Sequence, residues 1–128
     1  RSNGIFLNDK RNKLFKEFVR VIRDLKPKIF LMENVPGILN IYQGKTKNQI
    51  LSIFQSLGYK TKVKVLLAAD YGVPQLRERV FLIGVRNDID FQYSFPEPTH
   101  GGGLFLSPYR TLEDAIGDLR AGYGEGEV

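Results

Sequence analysis

Residues 28–39 read KIFLMENVPGIL, a strand-like run that ends in a carboxylate and an amide just before a Pro-Gly break. Ile29–Met32 is short, continuously apolar and follows Pro27, which is typical of a strand covered on both faces in a parallel sheet. Residues 11–25, RNKLFKEFVRVIRDL, carry apolar side chains at helical spacing immediately before it. A helix followed by a buried strand is half of a βαβ repeat, so this part of the chain predicts an α/β fold.

A second helix and two further strands follow. Residues 46–57 predict an amphipathic helix that opens on a capping-box pattern, Thr46 and Gln49. Residues 59–67, YKTKVKVLL, alternate polar and apolar side chains and predict a strand with one solvated face. Residues 80–85, VFLIGV, predict a more buried strand. Two strands of different burial around a long turn predict an antiparallel pair at the sheet edge.

The last third of the chain changes character. Beyond Phe91 a segment rich in Pro, Gly and aromatic residues predicts an extended connector. Residues 111–119, TLEDAIGDL, predict a short helix capped by Thr111, with its apolar side chains turned inward. Those side chains are Leu112, Ala115, Ile116 and Leu119. We therefore divide the chain into a domain of residues 1–95 and a connector with a short helix, residues 96–128.

The composition narrows the classes of function. The 128 residues include 19 Lys and Arg against 14 Asp and Glu, a net charge of +5. This excess fits a polyanionic partner such as nucleic acid, and it fits an ordinary solvated surface equally well. The chain has no Cys, which excludes a disulfide framework and a cysteine nucleophile within it. With a single His and scattered carboxylates we expect no metal site, and no apolar run approaches the roughly 20 residues that span a bilayer.

Glu33 and Asn34 stand where the first predicted strand ends. In open α/β sheets, ligands bind beyond the carboxyl ends of parallel strands, and a carboxylate there can exchange protons with the edge of a polar heterocycle. A purely structural role is the alternative, in which Glu33 pairs with a nearby Lys or Arg and Asn34 caps the turn.

A second candidate group leads into the last strand. Gln75, Arg77 and Arg79 lie at alternate positions, so a strand that includes all three would present their side chains on one face. Two guanidinium groups and an amide would suit a phosphate or a base carbonyl. The alternative is an exposed edge strand protected by charge. The single His100 is interpreted as a loop residue.

In this order and spacing, these segments resemble the DNA (cytosine-5)-methyltransferase family over about residues 1–120. The segments that carry the resemblance are DKRNKLFKEFVRVI, KPKIFLMENVPGI and LLAADYGVPQLRERVFLIGV. FPEPTH and TLEDAIGDL carry it less specifically. The resemblance implies a partial Rossmann-like sheet in a three-layer αβα arrangement, with an antiparallel edge hairpin and with residues 28–33 parallel to strands outside this chain.

The resemblance also implies the chemistry. The family uses S-adenosylmethionine and flips a cytosine out of the duplex. A cysteine thiolate attacks C6, and C5 then takes the methyl group. The family's Glu-Asn-Val motif contains a glutamate that contacts N3 and the exocyclic amine of the cytosine, and this residue is Glu33 here. The second arginine of the Gln-x-Arg-x-Arg motif lies near the cytosine O2, and this residue is Arg79. By the same mapping, Asn34, Gln75 and Arg77 are substrate-binding and supporting residues, and Leu14 and Phe15 line the S-adenosylmethionine pocket.

The departures from the family pattern are equally informative. The Pro-Cys-Gln nucleophile loop, the Gly-rich cofactor loop and the target-recognition region have no counterpart in the sequence. The resemblance therefore predicts a C-terminal portion of a catalytic domain that is inactive alone. Its expected partner is DNA and its expected compartment is the bacterial cytoplasm rather than the nucleus, without membrane association. Sheet edges exposed by the missing strands also predict self-association.

Two other functions stay open. A family member that methylates tRNA would share these motifs, because they indicate the target base and the fold but do not distinguish DNA from tRNA. A non-catalytic module that binds nucleic acid or a partner protein, as a remnant of such an enzyme, would also fit the missing cysteine.

Overall fold

A computed structural model describes residues 13–40 and 45–119 of the chain. Its elements, in chain order, are α1 (Lys13–Leu25), β1 (Ile29–Asn34), α2 (Gly37–Asn40), α3 (Lys45–Ser56), β2 (Tyr59–Leu67), a 3-10 turn (Ala68–Tyr71), β3 (Glu78–Arg86) and α4 (Leu112–Ile116). Within these ranges no helix has the length and apolar character needed to cross a membrane. Residues 11 and 12 of the first predicted helix lie outside the described residues.

The three strands form one sheet in the order β1-β3-β2. β1 and β3 run antiparallel, with Ile29 opposite Val85 at one end of the ladder and Asn34 opposite Val80 at the other. β3 is therefore the central strand of the described sheet, and it brings its N-terminal residues beside the C-terminal end of β1.

The pair formed by β2 and β3 is also antiparallel. Beyond one end of the two strands the amide of Asn87 donates to the carbonyl oxygen of Gly58 at 2.8 Å. Beyond the other end the amide of Ala68 donates to the carbonyl oxygen of Arg77 at 2.9 Å. The predicted antiparallel hairpin at the sheet edge is confirmed.

One face of the sheet carries α1, α3 and most of the core. The ring of Phe30 in β1 packs edge-on against Phe18 of α1 and Tyr59 of β2, with ring centroids 5.7 and 5.1 Å away. It also packs at 4.6 Å against Phe54 of α3, whose side chain is fully buried. Across the ladder Phe30 faces Gly84, where a Cβ atom would lie only 2.1 Å from the ring. Glycine at this position therefore lets the central ring lie flat on the sheet.

The other face of β1 is open. Ile29 and Leu31 are 48% and 55% exposed, so the prediction that this strand is covered on both faces is wrong for the described residues. Among residues 13–40 and 45–119, β1 pairs with β3 alone, and both long helices pack on the opposite face. Phe91 and Tyr93, in the extended segment after β3, share a cavity lining with the buried Val85 on this face. The partial α/β fold is confirmed, with two of its three predicted layers supplied by the described residues.

The chain divides into two compact units. One contains the described residues up to Val65 together with Arg79–Phe95, and the other contains Leu66–Glu78 together with the described residues from Pro96 onward. The second unit thus combines the turn between β2 and β3 with the connector. The division into residues 1–95 and 96–128 stays a prediction.

The short helix α4 does not bury an apolar face. Its Thr111 cap is confirmed, but the inward orientation predicted for the apolar side chains is wrong. Those of Leu112, Ile116 and Leu119 are 63%, 45% and 69% exposed, and Ala115 is exposed as well. A helix of five residues is held by its cap rather than by packing, because so short a helix presents too little area to form a stable interface.

The cap of α4 makes a pH-dependent prediction. The amide of Thr111 donates to the Asp114 carboxylate at 2.7 Å and the Thr111 hydroxyl adds a second hydrogen bond, which together hold the pKa of Asp114 below its ordinary value of 3.8. A lowered carboxyl pKa stabilises the folded helix above the ordinary pKa, and this contribution is lost as the pH falls through the folded pKa. By NMR titration, Thr111→Val should raise the pKa of Asp114 part of the way back, whereas Thr111→Ser should leave it low. An equal pKa in all three proteins would contradict the capping assignment.

Candidate active site

A carboxylate and a guanidinium group meet where β1 ends and β3 begins. Nε of Arg79 lies 2.8 Å from Oε1 of Glu33. The Arg79 side chain is 24% exposed and that of Glu33 is 45% exposed, so solvent and a ligand can reach the carboxylate. The structure therefore brings together the two residues that the sequence suggested as the catalytic pair, although they are 46 positions apart in the chain.

The antiparallel register explains how these side chains meet. Glu33 stands opposite Phe81 in the ladder, and Arg79 precedes Phe81 by two residues on the same face of β3. Diagonal neighbours on one face of an antiparallel pair are close enough for long side chains to touch. Phe81 is half-buried and lies on the same face of the sheet as the ion pair. Sequence reasoning missed Phe81, although its alternate spacing with Arg79 was a signal that could have found it.

The ion pair has little to do with stability. Partly exposed pairs of this kind contribute about 0 to 1 kcal/mol, because water and salt screen the charges. The alternative interpretation of Glu33 was an ion pair at the rim of the sheet. Glu33 does form such a pair, and its partner is Arg79, the arginine that was proposed to act beside it. Pairing therefore does not argue against a catalytic role, since the arginine fixes the direction in which the carboxylate points.

Asn34 has a local role in the structure. Its Oδ1 accepts a hydrogen bond from the amide of Val35 at 2.8 Å, and the turn continues with a bond from the amide of Ile38 to the carbonyl oxygen of Val35. Asn34 thereby closes the turn that leads from β1 to α2, as in the capping alternative. A direct contact of Asn34 with substrate stays a prediction.

Gln75 and Arg77 lie outside the strand. β3 begins at Glu78, so the prediction that these two residues share one strand face with Arg79 is wrong. The amide of Gln75 bonds to the carbonyl oxygen of Val73, and that of Arg77 bonds to the carbonyl oxygen of Gln75. Such bonds between residues two apart make tight turns instead of a ladder. Both side chains are exposed, and their roles in substrate binding stay predictions.

The two residues assigned to the cofactor pocket differ sharply. Leu14 is 84% exposed, whereas Phe15 is 8% exposed and packs edge-on against Phe54 with ring centroids 6.0 Å apart. His100 lies in the connector, where it forms an isolated bridge with Ser107, and this agrees with its interpretation as a loop residue.

Comparison with known proteins identifies the family. Residues 4–122 match the family profile described as C-5 cytosine-specific DNA methylase. The chain is 50% identical over 113 residues to Type II methyltransferase M.BspRI of Lysinibacillus sphaericus, an alignment that covers 88% of this chain and 27% of that protein. Type II methyltransferase M.BsuRI of Bacillus subtilis is likewise 50% identical over 113 residues, with 88% of this chain and 26% of that protein covered. The chain therefore spans about a quarter of the length of these relatives.

A solved structure gives the same result in three dimensions. A prophage-encoded E. coli protein assigned as a DNA modification methyltransferase superposes with a TM-score of 0.68 and 29% identity, covering 94% of this chain and 32% of that one. Sequence and fold agree over nearly the whole described chain, and the chain belongs to the C-5 cytosine-specific DNA methylase family.

Proposed function

We propose that this chain is part of an enzyme that transfers a methyl group from S-adenosylmethionine to C5 of a cytosine flipped out of DNA. The observation that carries the proposal is the ion pair between Glu33 and Arg79, because it lies at an accessible sheet edge in a chain of this family. An ion pair of this exposure contributes little to stability, and at the end of β1 its carboxylate can be reached by a substrate.

Glu33 acts on the edge of the cytosine ring. Its carboxyl group binds N3 and the exocyclic amine and holds a proton at N3 while a nucleophile attacks C6. Attack pushes negative charge onto the ring, and a proton at N3 neutralises it, which lowers the barrier in the manner of a general acid. The activated C5 then takes the methyl group from the sulfur of S-adenosylmethionine, and loss of the C5 proton with release of the nucleophile from C6 restores the ring.

Arg79 contributes position and charge. Its Nε atom holds Oε1 of Glu33, and this contact orients the carboxyl group towards the base. The guanidinium group has further donors, which suit the cytosine O2. Gln75 and Arg77 bind the nearby DNA backbone in this proposal, and Asn34 holds the turn behind Glu33.

S-adenosylmethionine is the methyl donor that the family implies, and it supplies an electrophilic methyl group when bound. Leu14 fits an apolar wall of its pocket because its side chain is exposed. Phe15 does not fit a wall as well, because its ring already packs against Phe54 in the core. Most of the pocket therefore comes from residues other than these two.

The nucleophile lies outside this chain, since the sequence contains no Cys. We infer that the 128 residues alone transfer no methyl group and that the complete protein acts inside the bacterial cell, in restriction-modification or a related process. The relatives named above come from bacteria, which supports a bacterial source. Self-association through exposed sheet edges stays a prediction.

The proposal is tested by the substrate of the complete protein. With S-adenosylmethionine labelled in its methyl group, label should enter C5 of cytosine in duplex DNA, and tRNA should remain unlabelled. Label in tRNA alone would show that the substrate is tRNA and not DNA. Binding of DNA without any transfer of label would favour the non-catalytic module and would overturn the proposal.

A further inference from the structure

The turn that follows β2 is the attachment point of the connector. The 3-10 turn Ala68–Tyr71 ends at Gly72, which has a φ of 83° and donates its amide to the carbonyl oxygens of Ala68 and Ala69. A left-handed residue at the end of such a turn is favourable for glycine. The turn therefore has a fixed shape of its own, and Ala69 is buried within it.

Asp70, in the middle of this turn, binds the connector with both its backbone and its side chain. Its carbonyl oxygen accepts the amides of Thr99 and His100 at 2.8 and 3.0 Å. Its carboxylate oxygen Oδ1 accepts the hydroxyl of Tyr109 at 2.9 Å. We call these four residues, Asp70, Thr99, His100 and Tyr109, the clasp.

Two further contacts tighten the same attachment. The hydroxyl of Tyr71 donates to the carbonyl oxygen of Pro96 at 3.0 Å. The ring of His100 lies against Gly72, where a Cβ atom would stand 2.7 Å from Cε1 of that ring. Glycine is therefore favoured at position 72 for two reasons. Its positive φ ends the turn, and the absence of a side chain leaves room for the His100 ring of the clasp.

The connector is folded so that distant residues of it reach Asp70 together. The amide of Gly101 donates to the carbonyl oxygen of Ser107 at 2.8 Å, and the amide of Ser107 donates to the carbonyl oxygen of Thr99 at 3.1 Å. These bonds close a loop between Thr99 and Ser107. The chain then returns to the turn, and Tyr109 contacts the residue that already holds Thr99.

The loop that carries Gln75 and Arg77 is tied to the same turn. The carbonyl oxygen of Ala68 accepts the amide of Val73 at 3.3 Å, and the amide of Ala68 donates to the carbonyl oxygen of Arg77 at 2.9 Å. Both ends of the loop are thus bonded to one residue. The division of the chain into compact units agrees, since Leu66–Glu78 belongs to the same unit as the described residues from Pro96 onward.

We propose that Asp70 is a positioning residue, which through the clasp makes the loop 73–77 and the connector 96–109 a single mechanical unit. Binding events on the connector side then set the position of Gln75 and Arg77, so that the contact of these two residues with DNA is coupled to the segment beyond residue 96. This second step rests on the proposed function, whereas the mechanical unit itself does not.

Hydrogen exchange tests the mechanical unit without any substrate. In the complete protein, Tyr109→Phe removes one hydroxyl from an exposed ring, and the loss of that hydrogen bond should raise exchange severalfold in peptides covering 68–77 and 96–109 together. Tyr93→Phe is the matched control, because the Tyr93 hydroxyl makes no hydrogen bond to another described residue. Faster exchange in 96–109 alone would overturn the proposal.

Kinetics test the consequence for substrate. For a cytosine-containing duplex, Tyr109→Phe should raise KM by about fivefold and leave kcat within about twofold, since one exposed hydrogen bond is lost and the reacting groups are untouched. Asp70→Asn keeps a side-chain oxygen for the Tyr109 hydroxyl and should retain most of the DNA affinity, whereas Asp70→Ala should match Tyr109→Phe.

Two outcomes separate the steps of the proposal. If Tyr109→Phe leaves KM unchanged but raises exchange in both segments, only the role in DNA binding is rejected. Absence of methyl transfer in the unsubstituted protein would reject the proposed function and leave the exchange result standing.

Discussion

Glu33→Gln in the complete protein is expected to lower methyl transfer to cytosine by a factor on the order of 10² to 10⁴, the usual contribution of a positioned acid or base. Glutamine keeps the size and the hydrogen-bonding shape of the side chain but cannot hold a transferable proton at N3. The negative charge that develops on the ring during attack at C6 is then left without its proton. Binding of S-adenosylmethionine, measured by calorimetry, should be unchanged because the substitution leaves the apolar cofactor wall intact.

The chain offers a matched control for this substitution. Glu17 of α1 pairs with Arg20 through an Nε–Oε2 distance of 2.8 Å, the same length as in the pair of Glu33 with Arg79, and both side chains are about half exposed. Glu17→Gln removes the same charge from the same kind of ion pair on a helix surface, so it should leave single-turnover methyl transfer unchanged. Near-normal transfer in Glu33→Gln, or an equal loss in Glu17→Gln, would reject Glu33 as the proton-holding residue.

The parts of the fold that could be predicted from the sequence are those set by local signals. The alternating residues of β2 predicted the strand Tyr59–Leu67 with the observed bounds, and the cap of α4 lies at Thr111 as predicted. The pairing of Glu33 with Arg79 needed more than local signals. Resemblance supplied both residues as family positions, and only the antiparallel register of β1 and β3 shows how they come into contact.

The wrong predictions share a different physical cause. An apolar run such as Ile29–Met32 shows that a strand can be buried but not which elements cover each face, because coverage depends on long-range neighbours. The same uncertainty applies to α4, whose apolar side chains are exposed at Leu112 and Leu119. The turn at Gln75 illustrates a third case, in which alternate spacing imitates a strand although backbone bonds between residues two apart fold the segment into tight turns.

Gly84→Ala is the second substitution with a large expected effect, a loss of about 2 to 3 kcal/mol in the free energy of unfolding. The new Cβ atom would lie 2.1 Å from Cε1 of Phe30 and 2.3 Å from its Cζ. The ring has no free direction in which to move, because Phe18, Phe54 and Tyr59 surround it and it is itself buried. Either the ladder between β1 and β3 or the helices above it must shift, and urea denaturation of the chain followed by circular dichroism measures the cost.

Two further variants separate this clash from a general effect of replacing glycine. Gly37, in α2, has no heavy atom within 4 Å of the position that a Cβ atom would take and no positive φ, so Gly37→Ala should leave stability unchanged or raise it by up to about 1 kcal/mol. In Gly84→Ala combined with Phe30→Leu, the smaller side chain makes room for the methyl group, and the combined loss should fall short of the sum of the two single losses by about 1 to 2 kcal/mol. Strict additivity would mean that the ring of Phe30 does not lie over Gly84. The same clash also links the core to the candidate site, because β1 and β3 are the strands that bring Glu33 to Arg79, and a shift in their ladder should alter that 2.8 Å contact.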